Sequence, residues 1–130
     1  MKKKRILLVD DSKTTLLMEK MVLRSGPYEL AEANDGAEAV EKATASPPDL
    51  ILMDMIMPNV TGLEAVRRLR AQETTRGIPV IMVTTRGEQH NVDEAHSLGC
   101  DAYLTKPIDQ ARLLATVKAL LEAGRDQANG

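Results

Sequence analysis

The sequence predicts a doubly wound α/β fold, a parallel five-stranded sheet with helices on both faces, and three observations carry that prediction. Three short runs, Ile6-Leu7-Leu8-Val9, Leu50-Ile51-Leu52-Met53 and Val80-Ile81-Met82-Val83, are apolar at every position, as strands covered on both faces are. Between them lie segments whose apolar residues recur at helical spacing. Strand-like and helix-like segments alternate strictly through 130 residues with no repeat or low-complexity linker, which fits one domain with an ordinary core.

The elements follow in order. Met1-Lys2-Lys3-Lys4-Arg5 is a basic flank to the first strand, Ile6–Val9, whose apolar run is too short and too soon followed by acids to be an export signal. Leu17, Met18, Met21 and Val22 form the apolar stripe of a first helix that stops near Gly26-Pro27. Tyr28–Ala33 alternates with Glu29 and Glu32 and reads as an edge strand. Asp35 with Glu38 resembles a capping box and opens a second helix, residues 37–45. After the third strand, Thr61 with Glu64 caps a helix striped by Leu63, Val66 and Leu69. The fourth helix, around Val92, Ala95 and Leu98, has a thin stripe like the second and is expected to pack weakly and be mobile, ending at Gly99. Ala102-Tyr103-Leu104 makes a brief second edge, and Asp109 caps a last helix carrying Leu113, Leu114, Val117, Leu120 and Leu121. Residues 122–130 turn polar and are expected to fray, so the domain is taken as 1–124 with a polar tail at 125–130 and no room for an output domain. Five strands in this arrangement favour the flavodoxin-like (βα)5 order 2-1-3-4-5.

Composition removes several function classes. A formal charge of −2, spread through the chain, gives no basic field for nucleic acid, and no apolar run can span a bilayer, so a cytoplasmic location is expected. With two Tyr and no Trp or Phe there is no stacking platform for bases or a flavin. Cys100 has no partner for a disulfide, and His90 and His96, six apart, miss the spacing that puts two imidazoles on one helical face.

In doubly wound folds ligands bind beyond the carboxyl ends of the strands, where strand order reverses. Here the first strand runs into Asp10-Asp11, the third into Asp54, the fourth into Thr84-Thr85 and the fifth into Lys106-Pro107. Singly, each has a plain structural use: the acidic pair suits the positive end of a helix, Asp54 an ordinary loop, Lys106-Pro107 a turn. Together they place three acids at one rim, and two unit charges about 5 Å apart repel by roughly 3 kcal/mol at an effective dielectric of 20. A hard divalent cation with oxygen ligands would compensate, and magnesium suits a few carboxylates plus waters better than calcium does. A carboxylate so placed can attack phosphorus, with Lys106 neutralising the transferring oxygens and the Thr84 hydroxyl donating to the product.

The sequence resembles the CheY-like receiver domains of two-component response regulators. The resemblance runs from Ile6 to Leu121 and rests on Val9-Asp10-Asp11-Ser12, Asn34-Asp35-Gly36-Ala37-Glu38-Ala39, Asp49-Leu50-Ile51-Leu52-Met53-Asp54-Met55, Met57-Pro58-Asn59-Val60-Thr61-Gly62, Pro79-Val80-Ile81-Met82-Val83-Thr84 and Gly99-Cys100-Asp101-Ala102-Tyr103-Leu104-Thr105-Lys106-Pro107. It implies that Asp54 accepts a phosphoryl group from a histidine kinase or histidine phosphotransfer protein. It further implies that Asp11, Asp54 and the Ile56 carbonyl ligate Mg2+ (Mn2+ as substitute), with Asp10 acting through a water. Lys106 would hold a phosphoryl oxygen, and its bond to Pro107 would be cis. Thr84 and Tyr103 would switch, reshaping a target-binding face made by the fourth helix, fifth strand and fifth helix of a monomer or weak transient dimer.

Three other readings stay open. A haloacid-dehalogenase-type phosphatase also forms an aspartyl phosphate, but its two first-strand Asp are separated by one residue, whereas Asp10 and Asp11 are adjacent. A flavodoxin-like carrier would want a Gly-rich phosphate loop and aromatic residues. A degenerate receiver, acting only as a protein-binding module, would not need the full set of acids, Thr and Lys. Ile56 and Arg86, each two residues beyond a site residue, are expected to flank an attacking water's route and to slow self-dephosphorylation.

Overall fold

A computed structural model describes residues 3–84 and 89–129. In chain order its elements are β1 (Lys4–Val9), α1 (Lys13–Leu23), β2 (Tyr28–Ala33), α2 (Gly36–Ala45), β3 (Leu50–Asp54), α3 (Gly62–Arg70), β4 (Val80–Thr84), α4 (Gln89–Ser97), β5 (Ala102–Thr105) and α5 (Gln110–Asn129). The five strands form one parallel sheet in the order β2-β1-β3-β4-β5. This is the expected topology. Thr85, Arg86, Met1 and Lys2 lie outside the described residues, as do the side chains of His90 and Val92.

The unbroken apolar runs have a direct structural cause. Successive side chains of a strand point to opposite faces, so a strand with helices on both sides must be apolar at every position. Ile6 and Leu8 of β1 join Leu50, Leu52, Ile81 and Val83 in a core beneath α1 and α5, with Leu16, Leu23, Leu113, Val117 and Leu121. Leu7 and Val9 face the other way, into a core with Ile51, Met53, Val80, Met82, Ala39, Val66 and Leu69. The sheet thus separates two apolar compartments.

Helix starts follow the local chemistry of their caps. The Glu38 amide donates to Asp35 Oδ1 at 2.8 Å, that of Glu64 to Thr61 Oγ1 at 3.1 Å, and that of Arg112 to Asp109 Oδ1 at 3.0 Å, each satisfying an otherwise orphaned first-turn donor. The Glu64 side chain does not close the expected box; it turns instead to Arg67 and Arg68. Ser12 caps α1, its Oγ accepting from the Thr15 amide at 3.3 Å.

The expectation for α1 is corrected. α1 fully buries Leu16, Glu19 and Leu23; of the expected stripe, Met18 and Val22 are partly buried against that core, whereas Leu17 and Met21 are 52% and 62% exposed. Both stripes have helical spacing, and a carboxylate in the middle of the true one concealed it. The last helix runs further than its apolar stripe: α5 continues past Leu121 to Asn129. Ala123, Arg125, Gln127 and Ala128 are good helix formers. Among the described residues no helix is long and apolar enough to cross a membrane.

Candidate functional site

Parallel pairing brings the carboxyl ends of β1, β3, β4 and β5 to one rim. Val9 lies opposite Met53, Asp54 opposite Val83, and Thr84 opposite Thr105. Asp10, one residue past β1, is therefore beside Asp54, and Lys106, one past β5, comes next to Thr84, to whose carbonyl its amide donates at 2.7 Å.

The side chains converge. One carboxylate oxygen from each of Asp10, Asp11 and Asp54 lies within 4.8 Å of the other two. The Lys106 ammonium sits 3.2 Å from Asp10 Oδ2 and 3.4 Å from Asp54 Oδ1. Asp10 and Asp54 are buried, Asp11 is exposed at the mouth, and Thr84 is buried at the end of β4. The Ser12 amide donates to Asp10 Oδ1 at 2.8 Å, which fixes that carboxylate and leaves Oδ2 for Lys106. The Lys106–Pro107 peptide bond is cis.

The loop after Asp54 is held close. The Met55 amide donates to Val83 at 2.9 Å, and the Gly62 amide returns to the Met55 carbonyl at 2.9 Å. A Cβ on Gly62 would lie 2.2 Å from the Asp54 carbonyl oxygen, so only glycine lets α3 begin this near the site. Asn59 takes the turn with φ +68°. Ile56 stands at the rim with 51% of its surface exposed. Tyr103 is half-buried against the α3 side of the core, its hydroxyl 3.5 Å from the Cys100 carbonyl and its ring 6.4 Å from that of His96.

The electrostatics reflect crowding. Burial, then the charge of Asp10, pushes Asp54 up to about 6, against the pull of Lys106. Burial works against the Lys106 ammonium, but Asp54 and Asp10 outweigh it and hold its pKa above the ordinary lysine value. Three carboxylates facing one ammonium leave two formal negative charges, the deficit one divalent cation cancels. Oxygens gathered within 4.8 Å are near the spacing of an octahedral shell, in which ligands at about 2.1 Å from the ion stand roughly 3 to 4 Å apart. The residues present fit such an ion, and its charge would bring Asp54 back toward full ionisation.

Glu19 escaped the sequence reading. It is 1% exposed, on the buried face of α1, and its Oε1 has no hydrogen-bond partner. Burial, then Asp10, raises its pKa to about 8, partly offset by Lys106. The signal in the sequence was Leu16 and Leu23 at a seven-residue interval, with Glu19 between them. Cys100 is buried, and that burial raises its thiol to about 11, so it is an unreactive filler.

A parallel sheet of this order, with an acidic cluster and a lysine at its carboxyl rim, defines an acid-pocket α/β domain suited to a cation and a phosphoryl group. The chain belongs to the response regulator receiver domains, whose family model matches residues 6–118. It is 38% identical over 117 residues to protein PilH of Pseudomonas aeruginosa, covering 90% of this chain and 97% of PilH. The polar-differentiation response regulator DivK of Brucella ovis is 35% identical over 118 residues, covering 91% of this chain and 96% of DivK. Among solved structures, Vibrio cholerae chemotaxis protein CheY4 superimposes with a TM-score of 0.85 at 33% identity, covering 92% of this chain and 99% of CheY4. The receiver domain of sensor histidine kinase PA1611 from Pseudomonas aeruginosa, solved with a magnesium ion coordinated in its active-site cleft, gives 0.85 at 32% identity, covering 93% of this chain and 99% of that one.

Proposed function

We propose that this receiver domain is a phosphorylation-activated switch in which Asp54 takes a phosphoryl group from the phosphohistidine of a histidine kinase or histidine phosphotransfer protein. The observation that carries the reading is the constellation at Asp54: an ammonium at 3.4 Å and two more carboxylates within 4.8 Å. An Asp54 carboxylate oxygen attacks phosphorus, the P–N bond of the donor breaks, and the imidazole leaves with the electron pair and takes up a proton. Lys106 stands where it can follow the transferred oxygens, leaving Asp54 Oδ1 for one of them. Asp11, Asp54 and the carbonyl of Ile56 would hold Mg2+ (or Mn2+), with Asp10 reaching it through a water. The ion supplies Lewis-acid neutralisation of the phosphoryl oxygens. The bound magnesium of the PA1611 receiver supports that choice.

The switch comprises residues 1–124, with 125–130 as a polar tail. The Thr84 hydroxyl donates to the phosphoryl group, and Tyr103, half-buried in this state, turns further inward. The face of α4, β5 and α5 then changes its affinity for a downstream cytoplasmic protein, since phosphorylation biases two states only through contacts that differ between them. The chain works as a monomer or weak transient dimer and catalyses only its own phosphoryl transfer and autodephosphorylation.

Incubation with Mg2+ and radiolabelled acetyl phosphate should label Asp54 and leave Asp54→Asn unlabelled. Equal labelling of the variant would overturn the assignment, and turnover of free phosphomonoesters would favour a phosphatase.

A further inference from the structure

Arg70, the last residue of α3, differs from its neighbours Arg67 and Arg68. Those two pair with Glu64 and Glu94 in solvent, about half of each side chain exposed. The Arg70 side chain is 19% exposed and directs its donors at backbone carbonyls. Nε donates to Leu98 at 3.1 Å, Nη1 to Arg76 and Ile78 at 2.8 Å each, and Nη2 to Gly99 at 3.0 Å. One guanidinium therefore joins the end of α3, the segment leading to β4, and the turn from α4 to β5. Leu98 and Gly99 follow directly on α4, where helix carbonyls lack partners and the dipole is negative, so a cation is well placed there.

The same turn is secured again from β4. Asp101 donates its amide to the Val80 carbonyl at 2.9 Å and accepts the Val80 amide on Oδ2 at 2.9 Å, with Arg70 Nη2 3.8 Å from that oxygen. The Cys100 amide closes back on Ala95 at 3.2 Å, and Gly99 supplies the positive φ of +79° that reverses the chain. Further up α4, Ala95 is buried in the same core as Val66 and Leu69, and the described polar tie to α3 is the solvent-exposed Arg67–Glu94 pair, a contact of the kind worth little.

We propose that Arg70 is the fulcrum of the target-facing layer: it fixes the carboxyl end of α4 and the entry to β5, so that activation swings the amino end of α4 and turns Tyr103 instead of displacing the helix bodily. This rests on the switch reading of Asp54 and Thr84 given above. Gln89 and Ser97 are about 12 Å apart along the helix axis, so a swing of roughly 10° about the clamped end moves the far end about 2 Å and the Leu98–Asp101 turn hardly at all. Lysine cannot replace the clamp, because it lacks the planar fork that reaches four carbonyls on two segments.

The test compares backbone amide NMR shifts with and without Mg2+ and beryllofluoride, an acyl-phosphate stand-in, in wild type, Arg70→Lys and Arg70→Gln. In wild type the changes at Leu98–Asp101 should be about threefold smaller than at Gln89–Asn91, and in both variants the two sets should become comparable. Labelling of Asp54 by acetyl phosphate should stay within about twofold of wild type in each variant, because Arg70 touches none of the reacting groups. Equal changes at the two ends of α4 in wild type, or an Arg70→Lys pattern identical to wild type, would overturn the fulcrum. If Arg70→Gln fails to fold, the comparison of wild type with Arg70→Lys decides. Absence of label on wild-type Asp54 would instead overturn the switch reading itself.

Discussion

Replacing Glu19 by glutamine should change how stability depends on pH while leaving the shape of the core intact. A carboxyl whose pKa is higher in the folded chain than in the unfolded one favours the native state least once both forms would be ionised. Its effect is absent below the ordinary value of 4.5, grows as pH rises, and levels off above the folded value of about 8. Asp54 acts with the same sign, but its decline is largely complete by about pH 6. The interval from pH 6 to 8 therefore isolates Glu19, and because the slope halves as pH reaches 8 it corresponds to about 2 kcal/mol of stability lost by wild type and kept by Glu19→Gln. Urea unfolding followed by far-ultraviolet circular dichroism, with EDTA present, reads this as a midpoint difference on the order of 1 to 2 M. If wild type and Glu19→Gln lose the same stability between pH 6 and 8, the buried-acid account of Glu19 is wrong.

Other outcomes follow from the same geometry. Gly62→Ala forces a methyl into the Asp54 carbonyl and should cost about 1 to 3 kcal/mol in urea unfolding while slowing acetyl phosphate labelling, since the backbone that carries the acceptor must move. Lys106→Gln removes the one group that lowers the Asp54 pKa, so the carboxyl carbon of Asp54 should titrate above pH 6 by roughly one pH unit or more; an unchanged titration would show the ammonium is not coupled to it. Ile56→Asn replaces an exposed apolar side chain at the rim with one that can orient water, and the half-life of the aspartyl phosphate should fall about threefold or more.

How far the sequence could be read depended on which physical signal each residue leaves. Buried strands announce themselves because both faces must be apolar, so Leu50–Met53 and Val80–Val83 could be placed, and strand polarity then gathered Asp10, Asp54, Thr84 and Lys106 at one rim. Caps were legible at Asp35, Thr61 and Asp109 because a short side chain answering a first-turn amide is a local device. Glu19 was not, since a carboxylate on a helix reads as solvent-facing until the tertiary fold closes over it, and the choice between two stripes on α1 went to the one without a charge. Arg70 was equally silent. Its acceptors are carbonyls at positions 76, 78, 98 and 99, and backbone groups carry no residue signature.

The division of the core by the sheet bears on how the molecule can be rebuilt. Leu16, Leu113 and Val117 lie on one side and Ala39, Val66 and Leu69 on the other, with strand backbone between them. Packing defects should then stay on the side where they are made, and paired substitutions across the sheet should be close to additive. A chimera taking α1 and α5 from one relative and α2, α3 and α4 from another has only the strands to satisfy on each side. The two layers are transplantable units, and the rim residues, which belong to the strand ends, would travel with neither.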